Sequence, residues 1–207
     1  SDQLFGLTND MPQNGADLPT LPEAGTGDAE GRVVIADIGA GYSEPWWGDA
    51  TRVRIIRFDG DTAVRPDYRC DVRRLPVPDG CVDVAPARHV LEHFTRAEAP
   101  AILAEWTRII RVGGELRINV PNLLTACRRV LAIEAGEEDP DVYPWWQLYG
   151  QQKDERDLHH NGFTPRRLRK LLELTGVLED IDVQEGDNGL NLYAVAKKAR
   201  VRRPLAL

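Results

Sequence analysis

The stretch Val33-Val34-Ile35-Ala36-Asp37-Ile38-Gly39-Ala40-Gly41 constrains the fold more than any other part of the chain. An apolar run leads to an acidic residue and then to two glycines one residue apart. Such a run reads as a buried parallel strand ending in a tight turn, where backbone can approach a ligand closely. A second strand, Arg54-Ile55-Ile56-Arg57-Phe58, ends at Asp59, 22 residues after Asp37. A glycine turn after one strand and an acid after the next suit a nucleoside: backbone amides for its anionic end, a carboxylate for its ribose hydroxyls.

From Arg32 onward strands alternate with helices. Tyr68 to Asp71 reads as a short third strand, and Cys81 to Ala87 as a fourth, introduced by the turn Pro78-Asp79-Gly80. Thr95 and Glu98 have capping-box spacing, and the helix after them carries Ile102, Leu103, Trp106, Ile109 and Ile110 on one face. Pro100 belongs in its first turn. Gly113-Gly114 are expected to stop that helix, Glu115 to Val120 to form a fifth strand, and Asn122 to Ala135 a second helix. Residues 136–161 read as an acidic, aromatic, irregular loop, of a length that is usually functional or mobile. Thr164-Pro165 cap a helix with Leu168, Leu171 and Leu172 inward, closed by Gly176. Ile181 to Glu185 and Leu190 to Ala196, joined by Gly186-Asp187-Asn188-Gly189, form an antiparallel hairpin. The expected fold is α/β: a Rossmann-like, seven-stranded, mostly parallel sheet with helices on both faces and a C-terminal antiparallel hairpin. Residues 1–30 read as a flexible or partly helical arm, 31–198 as the folded domain and 199–207 as a basic tail.

At 207 residues the chain suits one domain with a full core. A net charge of −7 argues against a general nucleic-acid binder. The run Arg166-Arg167-Leu168-Arg169-Lys170 reads as a solvated helix face. No apolar run approaches the roughly 18 residues of a membrane helix, and Ser1-Asp2 open a polar segment without a visible secretory signal. Cys70, Cys81 and Cys127 are odd in number and form no CxxC, so neither a disulfide frame nor a metal ligand set is signalled. A reducing cytoplasm and a monomer or homodimer are the expectations.

Four segments resemble the class I S-adenosylmethionine-dependent methyltransferases, in particular the type-11 methyltransferase domain, over roughly residues 32–197. Asp37-Ile38-Gly39-Ala40-Gly41 looks like the glycine-rich first motif and Asp59 like the acid ending the second strand. Asp71-Val72-Arg73-Arg74-Leu75-Pro76-Val77-Pro78-Asp79-Gly80-Cys81-Val82-Asp83 is similar to the family's D-x-x-x-L-P-F-P-D-x-S-F-D stretch. His89-Val90-Leu91-Glu92-His93 and Arg111-Val112-Gly113-Gly114 resemble its H-V-L-E-H and K-P-G-G signatures. His160-Asn161-Gly162-Phe163-Thr164 looks like the lead into its last helix.

The resemblance implies S-adenosyl-L-methionine as cofactor and S-adenosyl-L-homocysteine as product. It places Gly39, Ala40 and Gly41 at the cofactor's amino-acid end, with Asp37 behind them. Asp59, with Gly60 beside it, would accept from the ribose hydroxyls. Asp71 would accept from the adenine amino group, the Val72 amide would reach a ring nitrogen, and the Ala87 carbonyl would face the ammonium. Tyr42 or Trp46 would offer the sulfonium an aromatic face. The chain departs from the family at Ser43, where a third glycine is usual, at Glu44-Pro45-Trp46-Trp47, where a long helix usually starts, and at Arg88, where a small residue is usual. Pro86 suggests a local break in the fourth strand.

Methyl transfer from a sulfonium is an in-line displacement, so the enzyme supplies alignment, a dry pocket and, for a hydroxyl or amine acceptor, a base. Candidates are His89 directly after the fourth strand, His93 in the next turn, and His160 with its neighbour His159 in the long loop. Each is weighed against a purely structural imidazole. Glu92 reads as a turn-stabilising group; Asn119 and Asn122 either orient the acceptor or cap the next helix, and the cap is the reading for Asn122. Tyr143, Trp145, Trp146 and Tyr149 either stack on a flat or sugar-like acceptor or form a lid. The expected function is O- or N-methylation of a small molecule or sugar, with neither nucleic acid nor membrane as partner. The alternatives are a catalytically silent partner subunit and an NAD-linked oxidoreductase; the latter needs a glycine at position 44, where this chain has Glu.

Overall fold

The structure, a computed structural model, describes residues 27–41, 51–140 and 143–200. The N-terminal arm up to residue 26, the aromatic candidates Tyr42 and Trp46, the departures at Ser43 to Trp47, and the tail from residue 201 lie outside the described residues.

Seven strands form one sheet in the order β3-β2-β1-β4-β5-β7-β6. They are β1 (Val33–Ile38), β2 (Val53–Asp59), β3 (Tyr68–Arg69), β4 (Val82–Arg88), β5 (Ile110–Pro121), β6 (Leu178–Gly186) and β7 (Asn191–Lys198). The first five run parallel, and β7 is antiparallel to both β5 and β6. Thus β6 points the same way as β5, and the hairpin turn after it arrives at the carboxyl edge of the sheet. The α-helices are α1 (Ala99–Ile109), α2 (Leu123–Glu134), α3 (Tyr143–Tyr149) and α4 (Pro165–Glu173).

The caps expected from sequence form. Thr95 N–H and its hydroxyl both donate to Glu98 Oε2, at 2.9 and 2.6 Å, and Pro100 sits in the first turn of α1. The Asn122 side chain accepts from Leu124 N–H, and that of Thr164 from Arg167 N–H with Pro165 at the first helical position. Each such cap is worth about 1 kcal/mol.

Register and the two-residue period of a strand put Ala36 and Ile38, Ile56 and Phe58, Ala85 and Ala87, Leu116, Ile118 and Val120, and Leu192, Ala194 and Ala196 on one face. These residues are buried in one core with Ile102, Leu103, Trp106 and Ile109 of α1 and Leu168 and Leu172 of α4. The other face carries Asp37 opposite Arg57, and Arg88, Asn119 and Tyr193 in one cross-strand row.

Three expectations are corrected. Gly113-Gly114 do not stop α1: the helix ends at Ile109 and β5 begins at Ile110. The glycines lie inside the strand at an irregularity where the β4–β5 register shifts between Val82 and Val84. A Cβ at Gly114 would sit 2.5 Å from the Asp83 carbonyl oxygen, so the close approach of β4 excludes a side chain there. Residues 136–161 are not wholly irregular, since α3 forms within them and packs on α2. The hairpin strands also differ from the expected bounds: β6 begins earlier, at Leu178, β7 runs on to Lys198, and a second register shift falls between Glu179 and Asp182. Pro86 acts as expected: the β1–β4 pairing joins Ile35 to Val84 and Ile38 to Ala87, and passes over the residue that lacks an N–H.

Candidate functional site

At the end of β1, Gly39 and Gly41 have φ of +64° and +58°, a left-handed backbone that glycine adopts freely. A Cβ on Gly39 would sit 2.4 Å from Val90 Cγ2. Gly39 and Ala40 N–H donate to the Phe58 carbonyl at 2.8 and 3.2 Å, and Gly41 N–H donates to Asp59 Oδ2 at 2.9 Å. The other Asp59 oxygen accepts from Asp61 N–H at 2.8 Å. The amides of the turn are therefore engaged within the protein, where sequence reasoning had assigned them to a ligand. What the turn offers is a bare backbone surface, with a carboxylate locked across it that keeps a further lone pair on each oxygen.

Asp37 is buried at the centre of this edge. Its Oδ2 has no hydrogen-bond partner and lies 3.6 Å from Arg88 Nη2. Burial pushes its carboxyl above the ordinary carboxylate value, opposed by the charges of Arg88 and Arg57. Arg57 also donates to the Gly41 carbonyl at 2.8 Å, fixing the far side of the turn.

The wall beyond β3 is the segment Asp71 to Gly80, and α1 staples it down. Trp106 Nε1 donates to the Val72 carbonyl at 2.9 Å. Leu75 N–H donates to Glu105, and Arg108 donates to the carbonyls of Leu75 and Val77 and to the Asp79 carboxylate. The Leu-Pro-x-Pro-Asp pattern is thus a strap, with Leu75 and Val77 in the core and its carbonyls on one arginine. Asp71 is held by Arg73, whose backbone N–H and guanidinium both donate to it. An adenine amino group would share that carboxylate with the guanidinium.

On the other side of β4, His89 has φ of +52°, uncommon for a residue with a Cβ and a form of strain that clusters at functional sites. Its N–H donates to the Asn119 carbonyl, and its Nδ1 lies 3.1 Å from Glu92 Oε1. The ring is half-exposed. Burial alone lowers the His89 value, but the hydrogen bond and charge of Glu92, with the charge of Asp187, raise it above the ordinary imidazole.

Glu92 is fully buried, and its carbonyl accepts from the N–H groups of both His160 and Asn161. This clamp draws the long loop onto the edge. His93 and His159 then meet edge to face with centroids 5.0 Å apart. His160 is exposed and, with His159, Gln147, Leu148, Asn161, Pro121 and Leu123, lines a cavity of about 230 Å³.

The structure brings Asp37, Gly39, Ala40, Gly41, Asp59 and Gly60 together at the ends of β1 and β2, with Asp71 and Val72 after β3, and Ala87, His89 and His93 at and after the end of β4. Trp145, Trp146 and Tyr149 are exposed on α3, and Trp145 stacks on Tyr149. Sequence reasoning placed the hairpin but missed that its turn reaches the site. Asp187 in its turn bonds Asn191 and Tyr193 and adds its charge to the field at His89. It also missed Gln147, which donates to the Leu190 carbonyl and accepts from no hydrogen-bond donor at its buried Oε1. The signal for the hairpin was available, because a strand parallel to β5 must deliver its turn to the carboxyl edge. Cys70 and Cys81 are buried thiols pushed up to about 12 and about 11 by desolvation, so neither is a nucleophile.

Residues 29–118 match the family model described as Methyltransferase domain. A protein of Mycolicibacterium smegmatis named as a probable S-adenosylmethionine-dependent methyltransferase is 35% identical over 103 residues, which is 45% of this chain and 39% of that protein. The chain thus spans well under half the length of the curated relative it matches. Among solved structures, a SAM-dependent methyltransferase from Archaeoglobus fulgidus superposes with a TM-score of 0.57 at 15% identity, over 82% of this chain and 87% of that one. The 1,6-didemethyltoxoflavin-N1-methyltransferase of Burkholderia thailandensis, solved with 1,6-didemethyltoxoflavin and S-adenosylhomocysteine bound, gives 0.55 at 19% identity, over 82% and 72%. No helix among the described residues is long and apolar enough to cross a membrane. Residues 29–118 are thus similar to a methyltransferase domain, and the described residues share the fold of the solved methyltransferases named above.

Proposed function

We propose that this chain transfers a methyl group from S-adenosyl-L-methionine to oxygen or nitrogen of a small-molecule or sugar acceptor. The observation that carries the reading is the joint at the ends of β1 and β2. A left-handed Gly39-Ala40-Gly41 turn tolerates no side chain at its first position, and Asp59 is locked beside it by Gly41 N–H. Such a joint leaves a bare surface for a flat or extended ligand and a carboxylate oriented for vicinal hydroxyls.

The residues present fit an adenosyl cofactor. Gly39 keeps the surface bare, Asp59 accepts from the ribose, Asp71 and the Val72 amide face the adenine, and the buried Asp37 carboxyl, ion-paired to Arg88, suits the ammonium. When bound, the sulfonium supplies an activated methyl group. The chain's own residues then align the acceptor and take its proton. His89 is assigned as the base. Its Nδ1 is oriented by Glu92, which leaves Nε2 on the half-exposed side of the ring to receive a proton. His160 borders the acceptor cavity and His93 stands behind it. The acceptor is assigned to the space between His89 and that cavity, which Tyr149 of α3 lines.

Two measurements test this. Calorimetry with S-adenosylmethionine, S-adenosylhomocysteine and NAD should give saturable heat with the first two alone. Labelled methyl transfer to fractions of a small-molecule extract should then mark an acceptor. No heat with either sulfur compound would end the proposal, while binding without any transfer would favour a silent subunit.

A further inference from the structure

Glu92, His93 and His159 come from two segments 66 residues apart, yet one ligand-capable atom of each lies within 4.8 Å of the others. Both imidazoles are held the same way. His93 Nδ1 lies 3.1 Å from the Leu158 carbonyl oxygen, and His159 Nδ1 lies 3.0 Å from that of Gln147. A carbonyl only accepts, so Nδ1 carries the proton on each ring and Nε2 carries the lone pair. Backbone-anchored rings of this kind are how proteins orient histidines toward metal ions.

The carboxylate supplies an independent indication. Glu92 is 1% exposed; Oε1 is taken by His89, and Oε2 is buried with no hydrogen-bond partner. A buried carboxylate oxygen left unpaired is unfavourable, and such groups in proteins are hydrogen-bonded, ion-paired or metal-bound.

We infer that Glu92, His93 and His159 form a binding site for a divalent transition-metal ion, with two imidazoles and one carboxylate as its protein ligands. The nitrogen-rich set without thiolate suits zinc, cobalt, iron(II) or manganese better than calcium or magnesium. Three protein ligands leave positions open, and His159 lines the 230 Å³ cavity, so an acceptor oxygen is the ligand that completes the shell. That last step rests on the methyltransferase reading; uptake of the ion does not.

The test uses the full chain, stripped with a chelator and titrated with zinc chloride and, separately, cobalt(II) chloride. One equivalent should bind saturably, and cobalt should develop visible absorption bands from nitrogen–oxygen coordination. His159→Ala should weaken binding by at least about tenfold. His160→Ala removes the adjacent exposed imidazole and should leave metal affinity unchanged, as should Cys127→Ser. If His159→Ala does not fold, the near-isosteric Glu92→Gln decides by the same loss. No saturable uptake, or uptake that survives both ligand substitutions, overturns the site. Calorimetry with S-adenosylhomocysteine on the same samples separates the two readings. Metal uptake without cofactor heat would sink the function and leave the site, and the reverse would sink the site alone.

Discussion

The two halves of the carboxyl edge are built by different means. The half proposed for the cofactor comes from neighbouring strand ends, with Gly39 to Gly41, Asp59 and the strap from Asp71 to Gly80 all within one 42-residue span. Its contacts fix backbone groups: the turn amides on Phe58 and Asp59, the strap carbonyls on Arg108. The half proposed for the acceptor gathers His89 and Glu92 after β4, His159 and His160 from the long loop, Gln147 from α3 and Asp187 from the hairpin. What unites it is the carbonyl of one buried residue, Glu92, accepting from two amides of the loop. The first half is a rigid surface whose chemistry is fixed by position along the sequence; the second is an assembly whose chemistry exists only when four segments meet. A fold can therefore keep a cofactor site constant while the acceptor side varies.

That contrast can be broken most severely from the core. Trp106→Ala removes a fully buried side chain and the donor to the Val72 carbonyl, and should lower stability by about 3–5 kcal/mol in chemical denaturation. Loss of the acceptor half with an intact cofactor half would show the strap to be independent of α1, against the view taken above. His89→Ala should slow turnover by about 10²–10⁴-fold and leave S-adenosylhomocysteine affinity within error. Equal losses in both would mean that the halves are one unit. Asp59→Ala should weaken cofactor binding by about 1–3 kcal/mol in calorimetry, with acceptor affinity unmoved. Unchanged cofactor affinity would remove Asp59 from the site.

The smallest effect concerns the strap and acid. The hydrogen bond from Arg108 holds Glu105 below its ordinary value of 4.5. The unfolded chain therefore binds the proton more readily than the folded one. The stability Glu105 contributes is full above pH 4.5 and is lost as pH falls through the lowered folded value. Glu105→Gln should flatten the fall in melting temperature over that acid range. An identical acid profile would place the strap's stability in Leu75 and Val77 rather than in the ion pairs.

Much of the fold was legible because the local signals agreed: the cap at Thr95, the cap and proline at Thr164-Pro165, and the alternation of strands and helices all appear in the structure. The errors have physical causes. Gly113-Gly114 read as a helix stop, but the helix was already ended by strand pairing at Ile110, and the glycines answer the close approach of Asp83. The run Tyr143-Pro144-Trp145-Trp146 offered little helical periodicity, and packing on α2 made it a helix all the same.

The sequence by itself determined the glycine turn and the acid beside it, because features at adjacent strand ends carry their geometry in their spacing. Only the tertiary structure decided the acceptor half. Whether His159 meets His93, or Asp187 reaches the field of His89, depends on how a loop and a hairpin close over the edge. Spacing along a chain encodes contacts between neighbours in the backbone; contacts across 66 residues are encoded in packing, which no local pattern displays.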